Sequence, residues 1–173
     1  LAGVGDKQIE YTRAFMSQPG AAQAMDVLSY HPYRDVPETT AEQIVALRDV
    51  AREIKPGLTI WQAECGCPSS GDTIHARPPE PWGYNCQAKW LLRRLLTDYM
   101  CGAEISVYFL IAEFYGNLHP GSPDLRTGYN TKGLTQHTPW AVKPAYYTLQ
   151  NLAATIDHSW QPVDDKAEIA VVD

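Results

Sequence analysis

The chain has 173 residues, 45% of them hydrophobic, so it is long enough to bury the core of one globular domain. Its formal net charge is -6 and its longest basic cluster is Arg93-Arg94, which argues against a nucleic-acid partner. No apolar run approaches the ~20 residues that cross a bilayer, so we expect no membrane partner.

Helical and strand patterns alternate along the chain. Asp6, Thr40 and Asn85 stand where helix-capping residues are expected, and Pro144 suits the first turn of a helix. The apolar spacing predicts, in order, a helix at 6–18, a strand at 24–30, a helix at 40–54, a strand at 58–63, a helix at 85–101, a strand at 105–114 and a helix at 144–157.

The predicted strands are apolar on both faces, which indicates parallel strands covered by helices, an α/β fold. Connections from helix to strand are short, whereas the loops at 65–84 and 115–140, which follow strands, are long. Parallel α/β folds bind ligands at the carboxyl ends of their strands, so these loops predict a binding face. An open doubly wound sheet and a (β/α)8 barrel both fit this order. The missing G-x-G-x-x-G and P-loop motifs favour the barrel, of which three units of eight would be present.

The end of the chain differs in composition. Residues 158–166 are polar with one proline, and residues 167–172 form an apolar run typical of a strand. We therefore predict a partial barrel domain at 1–157, and at 158–173 a linker with the first strand of an appended β module.

Glu64 is the first candidate for chemistry, because it ends a short apolar strand and precedes a loop rich in glycine, proline and cysteine. Taken alone, a glutamate at a strand end is more often the partner of a salt bridge or a helix cap. The Cys65-Gly-Cys67 spacing does not match a zinc knuckle, so we expect no metal site. A disulfide between this pair and Cys86, and free buried thiols, both remain open.

Four motifs, taken in order, resemble the carboxy-terminal part of a retaining glycoside hydrolase of the clan A type. The resemblance covers residues 6–157, in the order of the sixth to eighth βα units of that (β/α)8 barrel. The motifs are His31-Pro-Tyr33, Trp61-Gln-Ala-Glu64, Ser106-Val-Tyr108-Phe109, and Gly133-Leu134 followed by residues 143–152.

This resemblance implies that Glu64 is the nucleophile, that Tyr33 donates a hydrogen bond to its carboxylate, and that His31 lies in the same subsite. Tyr108 falls near the position of a tryptophan that forms the sugar platform in such families. The family's acid/base glutamate ends the fourth strand, and nothing in these 173 residues corresponds to it. The missing N-terminal barrel half is therefore an implied partner, and the chain alone is expected to be inactive.

The residues themselves add two candidates. Trp82 lies beside a long loop and could stack on the C–H face of a carbohydrate substrate, and Glu113 could bind sugar hydroxyls or form an ion pair with a lysine or arginine. The expected activity is hydrolysis of an O-glycosyl bond without a cofactor. The alternative is a non-catalytic α/β domain for carbohydrate binding or scaffolding, in which the same face is a polar rim.

Overall fold

The computed structural model describes residues 3, 5–71, 82–115, 129–157 and 159–161. Most of the predicted linker and the whole predicted strand at 167–172 lie outside these residues. The elements are the helices α1 (Asp6–Met16), α2 (Ala41–Ile54), α3 (Tyr84–Met100) and α4 (Pro144–Thr155), and the strands β1 (Val27–Tyr30), β2 (Thr59–Cys65), β3 (Ile105–Tyr108), β4 (Phe114–Tyr115) and β5 (Tyr129–Asn130).

The predicted α/β fold with a parallel sheet is confirmed. Strands β1, β2 and β3 form one sheet in that order, and both pairs are parallel. Tyr30 of β1 pairs with Gln62 of β2, which pairs with Ser106 of β3, so these three residues form one row across the sheet. The carboxyl ends of the three strands consequently lie along the same edge.

The core lies on one face of this sheet. Leu28, Tyr30 and Ile60 point to that face and pack with buried side chains of the helices, namely Met16, Ile44, Leu47 and Ala51. Residues of β3 that point to the opposite face are open to solvent, since Ile105 is 42% and Val107 is 41% exposed. The described helices thus cover the sheet from one side.

The third strand is shorter than predicted. The apolar run at 105–114 is not one strand, because β3 ends at Tyr108 and residues 114–115 form β4, which pairs antiparallel with β5. Between them, the carbonyls of Leu110 and Ile111 accept hydrogen bonds from Leu134 and Thr135. The two halves of the run thus pair with different segments, which a continuous apolar pattern cannot reveal.

None of the three predicted capping residues caps its helix with a side-chain hydrogen bond. Helix α3 begins at Tyr84, so Asn85 lies inside its first turn, and Asp6 is the first residue of α1 rather than the residue before it. Thr40 makes no capping bond and instead donates to the Pro37 carbonyl oxygen (2.8 Å) within a short 3-10 turn. The sequence located the starts of these helices to within one residue. It did not predict which groups bind the free backbone N–H groups at the helix N-termini.

Within the described part of the chain, no helix combines the length and the apolar character that crossing a membrane would require.

Candidate active site

Glu64 and Tyr33 meet at the carboxyl edge of the sheet. Glu64 is the penultimate residue of β2, and Tyr33 lies three residues beyond the end of β1. The hydroxyl of Tyr33 donates a hydrogen bond to Oε1 of Glu64 at 2.7 Å, and both side chains are half-buried. The two side chains therefore come within hydrogen-bonding distance, as predicted.

The chemistry of this pair follows from the state of the phenol. Burial, together with the hydrogen bond to Glu64, raises the pKa of Tyr33 far above its ordinary value of 10. Tyr33 is therefore a protonated donor at any ordinary working pH, and the Glu64 carboxylate is its acceptor. This hydrogen bond fixes the orientation of the Glu64 side chain at the rim of the sheet.

Three of the predicted substrate-binding side chains pack on one buried cluster beneath this edge. The cluster consists of Cys65, Cys67 and Trp90. Tyr33, Trp82 and Tyr108 are partly buried against it. The structure therefore brings these three aromatic side chains together next to Glu64, which adjoins Cys65 in the chain.

The hydroxyl of Tyr108 is engaged inside the protein. It donates to the Lys132 carbonyl oxygen (2.9 Å), lies 3.3 Å from that of Cys67, and accepts a hydrogen bond from Gln87 Nε2 (3.1 Å). This hydroxyl thereby fastens the segments that follow β2 and β5. A contact between Tyr108 and substrate stays a prediction.

His31 lies on the same segment as Tyr33. It directly follows β1, it is half-buried, and its carbonyl oxygen accepts the backbone N–H of Tyr33 (3.1 Å). Its imidazole makes no hydrogen bond to the described residues. The predicted subsite role of His31 stays a prediction.

Glu113 makes the ion pair that was one of its two predicted roles. It is 5% exposed and paired with Lys143, which is 1% exposed. Its other carboxylate oxygen accepts a hydrogen bond from the Tyr129 hydroxyl (2.7 Å). The sequence predicts Glu113 at the end of the third strand, but β3 ends at Tyr108 and Glu113 directly precedes β4. Its predicted contact with sugar hydroxyls stays a prediction.

A polar clamp, composed of Ser69, Gln87, Glu113 and Lys143, joins the loop after β2 to the segment after β5. Lys143 Nζ donates to Ser69 Oγ and to the Thr131 carbonyl oxygen, both at 3.0 Å. Gln87 Nε2 lies 2.9 Å from the Cys67 carbonyl oxygen and 3.0 Å from that of Lys132. Sequence reasoning missed this clamp, because its members come from separate loops and helices.

The buried ion pair of Arg94 and Asp98 was also missed. The two residues are 1% and 0% exposed and their closest atoms are 2.5 Å apart. Asp98 accepts hydrogen bonds from Tyr30 (3.0 Å) and Ser106 (2.8 Å), so it links β1 and β3 to α3. Opposite charges four residues apart, inside the apolar stripe of a predicted helix, were the signal that could have revealed it.

Several titratable groups here are kept neutral by burial. We call Tyr30, Tyr33 and Tyr108 the shielded phenols, because burial raises the pKa of each one far above 10. Burial likewise raises the pKa of the Cys65 thiol to about 12. All four cysteines carry free thiols, which is one of the two states predicted. Among the residues described, no group of three or more His, Cys, Asp or Glu is placed to hold a metal ion.

The chain matches no protein-family model and no curated protein sequence, but it does match solved structures. A GH2 β-galacturonidase from Eisenbergiella tayi bound to galacturonate is 16% identical with a TM-score of 0.61, over 83% of this chain and 26% of its own. A β-glucuronidase from Bifidobacterium dentium complexed with coumarin-3-O-glucuronide is 19% identical with a TM-score of 0.56, over 78% of this chain and 21% of its own.

These similar structures are glycoside hydrolases, as the sequence resemblance implied. At such low identity the similarity establishes a glycosidase-like fold and nothing further. The chain spans about a quarter of the length of these enzymes.

Proposed function

We propose that this chain is the carboxy-terminal part of a (β/α)8 barrel in a retaining glycoside hydrolase, and that Glu64 is its nucleophile. In this reaction the carboxylate attacks the anomeric carbon of a glycoside and forms a glycosyl ester, which water then hydrolyses. Tyr33 donates a hydrogen bond to the carboxylate and keeps it oriented.

The hydrogen bond from Tyr33 to Glu64 is the observation that supports this role most directly. It joins the ends of two neighbouring parallel strands, the edge at which α/β folds assemble their sites. A carboxylate that served only as a salt-bridge partner would have a cationic neighbour, whereas the partner of Glu64 among the described residues is a protonated phenol.

The partial barrel is supported by the one-sided packing of the sheet. A doubly wound sheet carries helices on both faces, whereas a barrel encloses one face and fills its interior with side chains. Here the face opposite the helices includes Trp61, Ile105 and Val107, which are partly or largely exposed. The N-terminal half of the barrel is the partner that would enclose this face.

The second carboxyl group would come from that other half. Retaining hydrolysis requires two carboxyl groups about 5 to 5.5 Å apart, one of them serving as acid and then as base. In the family that the sequence resembles, the acid/base glutamate lies at the end of the fourth barrel strand, and these 173 residues do not include that strand. The activity is therefore proposed for the natural protein that contains this segment, not for the segment alone.

The test is hydrolysis of a panel of aryl glycosides by the longest natural chain that contains this segment. The panel includes aryl glucuronide and galacturonide, because the similar structures were solved with such sugars or their relatives. Glu64→Gln keeps the shape of the side chain and removes its charge, and we expect it to lower kcat by at least about 10³-fold.

Glu104→Gln is the matched control, because Glu104 is an exposed glutamate at the amino end of β3 and pairs with Arg52. We expect it to keep full activity. A 2-fluoro-glycoside should also label the peptide that contains Glu64. Unchanged turnover in Glu64→Gln would remove Glu64 from the nucleophile role, and sugar binding without turnover by the full-length protein would favour the non-catalytic alternative.

A further inference from the structure

Strand β2 contains a bulge directly before its carboxyl end. Gln62 pairs with Ser106 and Cys65 pairs with Tyr108, so three steps along β2 correspond to two steps along β3. Strand β2 therefore holds one additional residue, and Ala63 and Glu64 together lie opposite Val107. An additional residue in one strand locally breaks the alternation of its side chains.

The bulge decides which face of the sheet receives Glu64. In regular alternation, Glu64 would point to the same face as Ile60 and Gln62, which are 1% and 0% exposed beneath the helices. Instead Ala63 and Glu64 are both half-buried, and Cys65 returns to the buried face. The additional residue thus moves the carboxylate out of the core and to the rim, where the Tyr33 hydroxyl reaches it.

The side chain of Gln62 stabilises the strand at this irregularity. Its Oε1 accepts a hydrogen bond from the backbone N–H of Val107 at 2.7 Å. Val107 lies opposite the bulge, and a backbone N–H needs an acceptor there as elsewhere in a sheet. A side-chain oxygen from β2 therefore takes the place of a backbone carbonyl for this residue.

The contacts of the Gln62 side chain centre on its Oε1 oxygen. The side chain is fully buried, and its amide lies within hydrogen-bonding reach of the Cys65 thiol, the next residue of β2 on the buried face. Ser106 Oγ lies 3.3 Å from the same Oε1 and donates to Asp98 at 2.8 Å. The amide is thus held between the bulge and the buried Arg94–Asp98 pair.

We propose that Gln62 is a positioning residue for Glu64. By accepting the Val107 N–H, it holds the β2 bulge that directs the carboxylate to the rim. Its effect on catalysis rests on the proposed function of Glu64, whereas its effect on the strand does not.

The kinetic test compares two substitutions in the full-length protein. Gln62→Met has a similar shape but no acceptor, and we expect it to lower kcat about 10- to 100-fold, as a misplaced reactive group does, with KM changed less than about 3-fold. Gln62→Glu keeps an acceptor for Val107 and should retain kcat within about 5-fold. The control is Tyr30→Phe, which removes a buried hydroxyl from the same row and should lower stability without lowering kcat.

A crystal structure of folded Gln62→Met gives a second readout that needs no activity. We expect the β2–β3 register to become regular, or the Tyr33–Glu64 distance to exceed 3.5 Å. An intact bulge with an intact Tyr33–Glu64 bond would overturn the proposal, as would an unchanged kcat.

If Gln62→Met does not fold, a large loss of kcat in folded Gln62→Glu would overturn the proposal, and a retained kcat in that variant would support it. A wild-type protein that hydrolyses no glycoside would refute the proposed function, yet the crystallographic test of Gln62 would still stand.

Discussion

Tyr33→Phe is the substitution that most directly tests how Glu64 is held ready for reaction. It removes the hydroxyl that donates to Glu64 Oε1 at 2.7 Å and leaves the ring packed on the Cys65–Cys67–Trp90 cluster. Hydrogen bonds to charged groups contribute about 1.5 to 3 kcal/mol, and the half-buried position of this one favours the lower end.

The size of the effect follows from the position of the carboxylate. The Tyr33 hydroxyl holds one carboxylate oxygen of Glu64 at the rim of the sheet, and without it the side chain can turn away from the reacting atom. A loss of about 1.5 kcal/mol corresponds to a kcat/KM that is about 10-fold lower.

The assay is kcat/KM for the best aryl glycoside, measured on the full-length protein, with thermal unfolding as a check that the variant is folded. Tyr147→Phe serves as the control, because Tyr147 lies on α4 and is 51% exposed, and its kcat/KM should match that of the wild type. A kcat/KM within about 2-fold of the wild type in folded Tyr33→Phe would refute the reasoning.

Three further predictions concern stability. A Cβ added at Gly66 would lie 1.9 Å from the Phe109 carbonyl oxygen, so Gly66→Ala should lower the free energy of unfolding by about 3 kcal/mol, while Gly83→Ala, with nothing within 4 Å, should be neutral in urea denaturation. Glu113→Gln leaves Lys143 buried without its counter-ion and should cost about 3 to 5 kcal/mol, which a second change, Lys143→Met, should largely restore in a double-mutant cycle. The shielded phenols have folded-state pKa values far above their unfolded value near 10, so the stability they contribute is present below pH 10 and lost above it. The free energy of unfolding, measured by urea denaturation, should fall as pH rises from 9 to 11, by about 1.4 kcal/mol per pH unit for each phenol above pH 10, and a flat profile would contradict this assignment.

Much of the fold was predictable because it depends on patterns within short segments. The apolar spacing of residues 41–54 marks a helix whatever it packs against, and Pro144 fixes the start of α4 by its own geometry. The prediction of one strand at 105–114 was wrong for the opposite reason. The two halves of this apolar run pair with different segments, and only those pairings show where the run divides.

The candidate site likewise has features that the sequence predicts and features that only packing determines. That Glu64 stands at the end of a strand follows from the apolar run before it. Which way its side chain points does not follow, because this depends on one additional residue in β2 relative to β3. Glu113 shows the same limit, since its position in the sequence fitted a sugar contact and an ion pair equally, and only the tertiary structure shows Lys143 beside it.

The sequence by itself therefore determined the alternation of helices and parallel strands and the placement of a carboxylate at a strand end, because periodicity and chain-breaking residues act locally. Only the tertiary structure decided that the Tyr33 hydroxyl reaches Glu64, that the β2 bulge turns this carboxylate away from the core, and that Arg94 and Asp98 pair in the interior. These outcomes depend on distances, burial and registers between segments far apart in the chain, which packing sets and no local pattern encodes.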